Sequence, residues 1–183
     1  PAAGSDLQGI KTTATAKDGG YVINGSKTFI TNGWHADLVI VVAKTDPAAG
    51  AKGTSLFLVE AGTPGFEKGQ RLKKLGMKAQ DTSELFFKDV HVGAEQLLGG
   101  EAMKNKGFIC LMEQLPWERL QIAITAVAAS QAAIDWTVAY VKDRQVFKQS
   151  VGSFQNTRYV LADLQAKVQA ARVFVDKCCE LVC

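Results

Sequence analysis

The sequence lacks the features that would place it outside ordinary globular proteins. There is no large charge excess: 21 Lys and Arg stand against 18 Asp and Glu, a net charge of +3. So weak a balance does not argue for a nucleic-acid partner. Apolar residues make up 47% and charged residues 21%, which excludes a disordered chain. Proline numbers 4, and the 17 glycines show no three-residue period, which excludes a collagen-like chain. His35 and His91 each lie two positions from an aspartate, Asp37 and Asp89, but no Ser-His-Asp order or elbow motif accompanies them. There is no G-x-G-x-x-G and no P-loop, so neither common nucleotide-binding turn is supported. The longest uncharged run, Leu120–Ile134, is short and carries Gln121, Thr125, Ser130 and Gln131. No transmembrane segment is therefore predicted. The start shows no basic n-region or apolar h-region of a signal peptide, and Pro1 stands where an initiator Met is absent.

Cysteine is sparse and clustered. Cys110 stands alone, and Cys178, Cys179 and Cys183 crowd the end. A disulfide framework spreads its cysteines along a small secreted chain, and a zinc site needs four ligands that no second pair or nearby His completes here. No metal site is predicted. The thiols are expected to be small, reduced and core-facing, which suits a reducing compartment: bacterial cytoplasm or mitochondrial matrix.

What is present divides in two. The first part is strand-like: Lys11–Ala16, Tyr21–Ile23, Phe29–Thr31, the β-branched run Leu38–Ala43, Ser55–Glu60 and Glu84–Val92. Asn24-Gly25 and Asn32-Gly33 are hairpin signals, since both residue types tolerate positive φ. Leu38–Ala43 reads as a strand buried on both faces. Short strands separated by Gly-rich breaks predict a β-sandwich or barrel. The second part is helical. Leu120, Ile124, Val127, Gln131, Ile134, Val138 and Val141 fall at spacings of four and three, as do Leu161, Leu164, Val168, Ala171, Val175, Cys178 and Val182. Two antiparallel helices packed stripe to stripe follow, with a break between Lys142 and Phe154. A helix boundary or kink is expected at Pro116. The fold class is α+β: a β-domain over residues 1–98, then antiparallel helices of a truncated bundle over 99–183. The second stripe is still running near the last residue, as in a piece of a longer chain.

Several segments have residue types that chemistry uses. Pro1-Ala2-Ala3-Gly4-Ser5-Asp6 is a small-residue loop that lets backbone N–H groups approach a phosphate; it is also an ordinary turn. Phe29 and Thr31, two apart in a strand, would share a face on which a flat ring could lie; a core Phe in a hairpin is the plain alternative. Glu118 follows Leu115 and Trp117 and precedes Leu120, a setting that raises a carboxyl pKa and makes a general base. From the residues alone, an exposed Glu paired with a neighbouring Arg or Lys is the plainer reading, since helices carry many such carboxylates. Arg144 could meet a phosphate, Gln155 a ring nitrogen or carbonyl, and Lys52 a nucleotide phosphate; each is also unremarkable as a solvated residue.

Taken in order, these segments resemble the acyl-CoA dehydrogenases. The resemblance rests on Pro1–Asp6, Asn24–Gly33, Gly65-Phe66, Asp81–Leu85 with Phe87–Val90, Gly107-Phe108, Glu118-Arg119, Arg144 and Phe154-Gln155. It implies a middle β-domain and the first helices of a C-terminal helical domain, without the N-terminal helical domain and the later chain. It implies FAD held by Gly4, Ser5, Phe29, Ile30 and Thr31, with Arg144 and Gln155 reaching the FAD of a neighbouring subunit in a homo-oligomer. It implies an acyl-CoA substrate met by Ser5, Lys52, Ile109, Pro116, Trp117 and Arg119, and an electron-transfer flavoprotein as electron acceptor. Leu111–Leu120 is similar to the long-chain and isovaleryl subgroup, which makes Glu118 the base that removes the α-proton while a β-hydride goes to flavin N5. Hydrogen bonds to the thioester carbonyl, among them one from the base's own backbone N–H, and expulsion of water would assist that step. Lys148 departs from the family's usual Gly after Phe147, and Gly99–Lys106 is slightly long. Other readings are a non-catalytic module that binds neither FAD nor CoA, and an acyl-CoA oxidase.

Overall fold

A computed structural model of the chain describes residues 3–182. Pro1, Ala2 and Cys183 lie outside them, so the predicted loop is described only from Ala3. Contacts divide the chain into two compact units, one ending at Leu111 and the other starting at Met112.

In the first unit, β1 (Thr13–Lys17), β2 (Gly20–Thr31), β3 (Leu38–Lys44), β4 (Thr54–Glu60), β5 (Phe66–Arg71) and β6 (Thr82–Gly93) form one mixed sheet. The order is β4-β3-β1-β2-β6-β5. β2 and β4 are three places apart, roughly 14 Å in a flat sheet. Yet the rings of Tyr21 and Phe57 meet edge to face with centroids 4.9 Å apart. The sheet therefore curls until distant strands share one core, built by Tyr21, Ile23, Val41, Phe57, Leu85 and Val90 among others. Each large apolar side chain withdrawn from water there contributes about 1.5–3 kcal/mol. The Ser83 hydroxyl is buried in this unit and has no hydrogen-bond partner among the described residues.

Several local expectations need correction. Asn24-Gly25 makes no hairpin; it lies inside β2 at a bulge against β6. The hairpin between β1 and β2 turns at Asp18-Gly19, both at positive φ, and pairs Lys17 with Gly20. Gly25 is needed for another reason: its φ is +150°, and a Cβ there would lie 2.8 Å from the Cα of Thr12. Asn32-Gly33 does end β2, but β2 and β3 are not neighbours. β3 is buried on one face only, since Val41 and Ala43 are in the core while Leu38 and Ile40 are exposed. β5 escaped the sequence reading because, after Phe66, its residues are Glu, Lys, Gly, Gln and Arg.

In the second unit, α1 (Gly107–Asp143, whose first turn lies in the first unit) and α2 (Gln155–Val182) carry the two predicted stripes. Leu120 and Val127 pack with Val175, flanked by Ala123, Ala171, Cys178 and Cys179. Gln131 and Gln165 exchange amide contacts of 3.4 and 3.5 Å, so the helices run antiparallel. Pro116 is no boundary: α1 runs through it from Gly107. By length and composition α1 is also apolar enough to cross a membrane, although no uncharged run predicted it. A two-residue hairpin, β7 (Gln145–Val146) with β8 (Gln149–Ser150), joins the helices.

Replacing Gly25 with Ala should destabilise the first unit by about 2 kcal/mol or more, because positive φ and the Thr12 backbone must both yield. Urea unfolding followed by tryptophan fluorescence would show it; an unchanged midpoint would mean that Thr12 moves freely.

Candidate functional site

Beyond Asn24, β2 loses its neighbour β1. β1 begins at Thr13, which pairs with Asn24 on one side and Lys44 on the other. From there β2 continues with β6 alone and β3 with β4 alone. The two strands splay and leave a groove of about 560 Å³. Gly25–Ile30 form one wall, Val39–Val42 the other, Ile10–Thr12 the closed end, and Ala3, Gly4 and Leu7 a rim. Among the described residues, its only charged lining groups are Lys11 and Lys27.

A second bulge in β2, between Lys27 and Ile30, shapes this wall. Phe29 sits in it at φ +60° and is 76% exposed, an aromatic held open to solvent. The bulge also breaks the strand alternation, so Phe29 and Thr31 do not share a face in the simple way their spacing predicts. Lys27 is the residue that the sequence reading missed. It is the sole charge in β2, and its Nζ crosses the groove to donate to the Val42 carbonyl at 2.8 Å. Burial pushes its pKa down to about 8.

The structure thus brings Gly4, Phe29 and Ile30 together on one groove. Ser5 adjoins it in sequence without lining it, and Thr31, paired with Thr82, closes β2 just beyond it. Lys52 is exposed in the last turn of a short 3-10 segment, Pro47–Gly53, outside the groove. Ile109 is exposed in the first turn of α1. Just ahead of that turn, the Thr45 hydroxyl meets the Ser55 hydroxyl at 2.7 Å and the Asn105 side-chain oxygen, while the Asn105 N–H donates to Ser55 at 2.8 Å. This network ties the entry of α1 to β4.

Pro116, Trp117, Glu118 and Arg119 lie in the middle of α1. Glu118 stands two residues from Leu120, about 200° around the helix, and so faces away from the buried stripe. It is exposed, with no ion pair among the described residues, so this chain alone does not build the apolar setting expected of it. Its backbone N–H is also committed to the helix ladder and is no free donor for a thioester carbonyl. Arg144 directly follows the last residue of α1; its N–H donates to the Tyr140 carbonyl and its carbonyl accepts from the Val151 N–H, both at 2.9 Å. Gln155 opens α2 and donates to the Tyr159 hydroxyl at 3.0 Å. Between them Phe147 and Lys148 turn the hairpin at φ +50° and +63°.

Residues 1–90 match the family described as "Acyl-CoA dehydrogenase, middle domain", and residues 105–182 match "Acyl-CoA dehydrogenase, C-terminal domain". The chain belongs to the acyl-CoA dehydrogenase family. It is 51% identical to the mouse mitochondrial long-chain specific acyl-CoA dehydrogenase, over 99% of this chain and 42% of that protein. Among solved structures, an acyl-CoA dehydrogenase from Geobacillus kaustophilus superposes with a TM-score of 0.93 at 48% identity, covering 98% of this chain and 47% of the other. The FAD complex of PigA superposes at 0.91 with 33% identity, covering 98% and 46%. The chain thus spans less than half the length of each of these relatives.

Two measurements follow. A lysine whose folded pKa lies near 8, below the ordinary 10.5, binds fewer protons folded than unfolded between those values. Stability therefore rises with pH across pH 8–10.5, and the burial cost is present in full below pH 8. Relative to Lys27→Met, the chain should gain about 1–3 kcal/mol over that window in urea titrations. A flat difference would place Lys27 in water. Lys148→Gly, which relieves a side chain held at positive φ, should raise the unfolding free energy from urea titrations by about 0.5–1 kcal/mol; no gain would mean that Lys148 makes a compensating contact.

Proposed function

We propose that residues 1–98 are the middle β-domain and residues 99–183 the first helices of the C-terminal domain of an FAD-dependent acyl-CoA dehydrogenase. The observation that carries this reading is the convergence of the Gly4 loop and the Phe29–Ile30 bulge, distant in sequence, on one groove. An exposed aromatic beside apolar walls that hold no carboxylate fits a flat ring system with apolar faces. Gly4, Ser5, Phe29, Ile30 and Thr31 would hold FAD, with Arg144 and Gln155 serving a neighbouring copy in a homo-oligomer. When bound, FAD supplies the acceptor for the β-hydride.

The chain's own part is binding, orientation and proton removal. Ser5, Lys52, Ile109, Pro116, Trp117 and Arg119 would contact an acyl-CoA thioester, long-chain in the mouse relative. The Glu118 carboxylate would take the α-proton. Since its N–H is held by the helix, the donors that stabilise the enolate come from elsewhere in the intact protein. Exclusion of water by the acyl chain and by other parts of the intact protein would leave the Glu118 carboxylate less solvated and a stronger base toward the α-carbon. An electron-transfer flavoprotein would reoxidise the enzyme. The free thiols of Cys110, Cys178 and Cys179 suit a reducing compartment, mitochondrial matrix or bacterial cytoplasm.

In the intact protein, Glu118→Gln should keep the yellow flavin absorbance but slow its bleaching by acyl-CoA by about 10²–10⁴-fold, the usual worth of a positioned base. Wild-type bleaching in the variant would remove Glu118 from the reaction.

A further inference from the structure

Charge in the first unit is unevenly placed. Lys68–Gln80, the end of β5 and the loop after it, holds five cations and no acid, more than the whole chain's net charge of +3. The loop leaves β5 at Arg71 and joins β6 at Thr82. Its neck is closed by the Leu72 N–H on the Thr82 carbonyl at 2.8 Å, and Lys74 Nζ donates to the Gln80 carbonyl at 2.6 Å. Between these ties the chain turns at Met77, whose φ is +48°. Met77 is 77% exposed and Leu75 fully so, with the exposed Lys73 and Lys78 on either side of them in sequence. Arg71, Lys73, Lys74 and Lys78 line one cavity of about 380 Å³. Among the described residues its one acid is Asp81, which is buried and accepts the Trp34 N–H at 2.8 Å. Trp34 is half-exposed, with the Arg71 guanidinium 6.0 Å from its ring centre. The Asn32 N–H donates to the Asp81 carbonyl at 3.2 Å, so the loop stands at the strand end that carries Thr31.

We propose that this loop docks the protein on an anionic lipid surface. Leu75 and Met77 enter the headgroup layer, and Lys73 and Lys78 keep their ammonium groups at the level of the lipid phosphates on long apolar stems. Trp34, with an apolar body and a polar N–H, suits the same boundary. Apolar insertion and basic charge are each weak alone and act together in reversible membrane binding. A lysine held near an anionic bilayer strengthens binding by about 5-fold. The make-up of the patch favours lipid over an acidic protein. Four of its five cations are lysines, compact point charges that lack the fixed fork with which arginine meets individual carboxylates, so they match diffuse charge better than a defined set of partners. A long-chain acyl-CoA is an amphiphile that gathers at such surfaces, so docking sets the Phe29–Thr31 strand end where substrate collects. That consequence rests on the acyl-CoA dehydrogenase reading; the docking itself does not.

Sedimentation of the intact protein with lipid vesicles tests this, and it needs neither FAD turnover nor acyl-CoA, so its outcome is separate from that of the flavin-bleaching experiment. The protein should sediment with vesicles containing phosphatidylglycerol and not with pure phosphatidylcholine vesicles, and rising salt should release it. Lys73→Gln together with Lys78→Gln should weaken binding by about 25-fold. Leu75→Ser together with Met77→Ser should weaken it by roughly 10-fold or more while leaving its salt dependence in place. All four positions are exposed, so both variants should keep the wild-type urea midpoint. Failure of the intact protein to sediment, or wild-type binding in both variants, would overturn the proposal. Retention on immobilised poly-glutamate that the lysine variant loses, without vesicle binding, would overturn it in favour of an acidic protein partner.

Discussion

Strand β2 is bonded to β6 along its whole length but to β1 along only its first half, as far as Asn24. A twelve-residue strand with one continuous neighbour and one that stops midway must twist away from the sheet where support ends. It bulges at Gly25 and again before Ile30, and the second bulge holds Phe29 open at positive φ. The groove, the exposed aromatic and the crossing of Lys27 to Val42 all follow from that mismatch in pairing. Bulges beside functional sites re-aim side chains that regular pleating would turn inward.

Around this weak point the rest is firmly held. Tyr21 against Phe57 closes the curled sheet, and Phe66 stacks on Phe87 with rings 4.9 Å apart. Thr45, Ser55 and Asn105 bind the approach to α1 onto β4. The candidate site is thus assembled on strand ends and bulges supported by a packed core, where a ligand can be met without unsettling the fold.

Much of this was legible in the sequence, for local reasons. Leu38–Ala43, Ser55–Glu60 and Glu84–Val92 announced themselves by β-branched or alternating side chains, and both helices by apolar residues at spacings of three and four. What stayed hidden depended on distant partners. Asn24-Gly25 looks like a turn, but its glycine answers to Thr12, met only through the fold. The charged residues of β5 give no pattern because an edge strand buries little. Lys27 showed only as a single charge in a neutral strand; that it spans a groove depends on where β1 begins. Glu118-Arg119 was legible through the resemblance alone, and the helix shows why: its surroundings are not built by this chain.

The adjacent thiols of Cys178 and Cys179 are half-buried on α2 beside the Leu120–Val175 contact. Neighbouring Cα atoms across a trans peptide are about 3.8 Å apart, closer than the roughly 4.4–6.8 Å that a disulfide spans, and a helix turns their side chains about 100° from each other. The pair therefore cannot act as an intramolecular redox latch while the helix holds. Oxidants and electrophiles meet two independent sulfurs, each able to be capped alone, and any cross-link they form must reach a different cysteine.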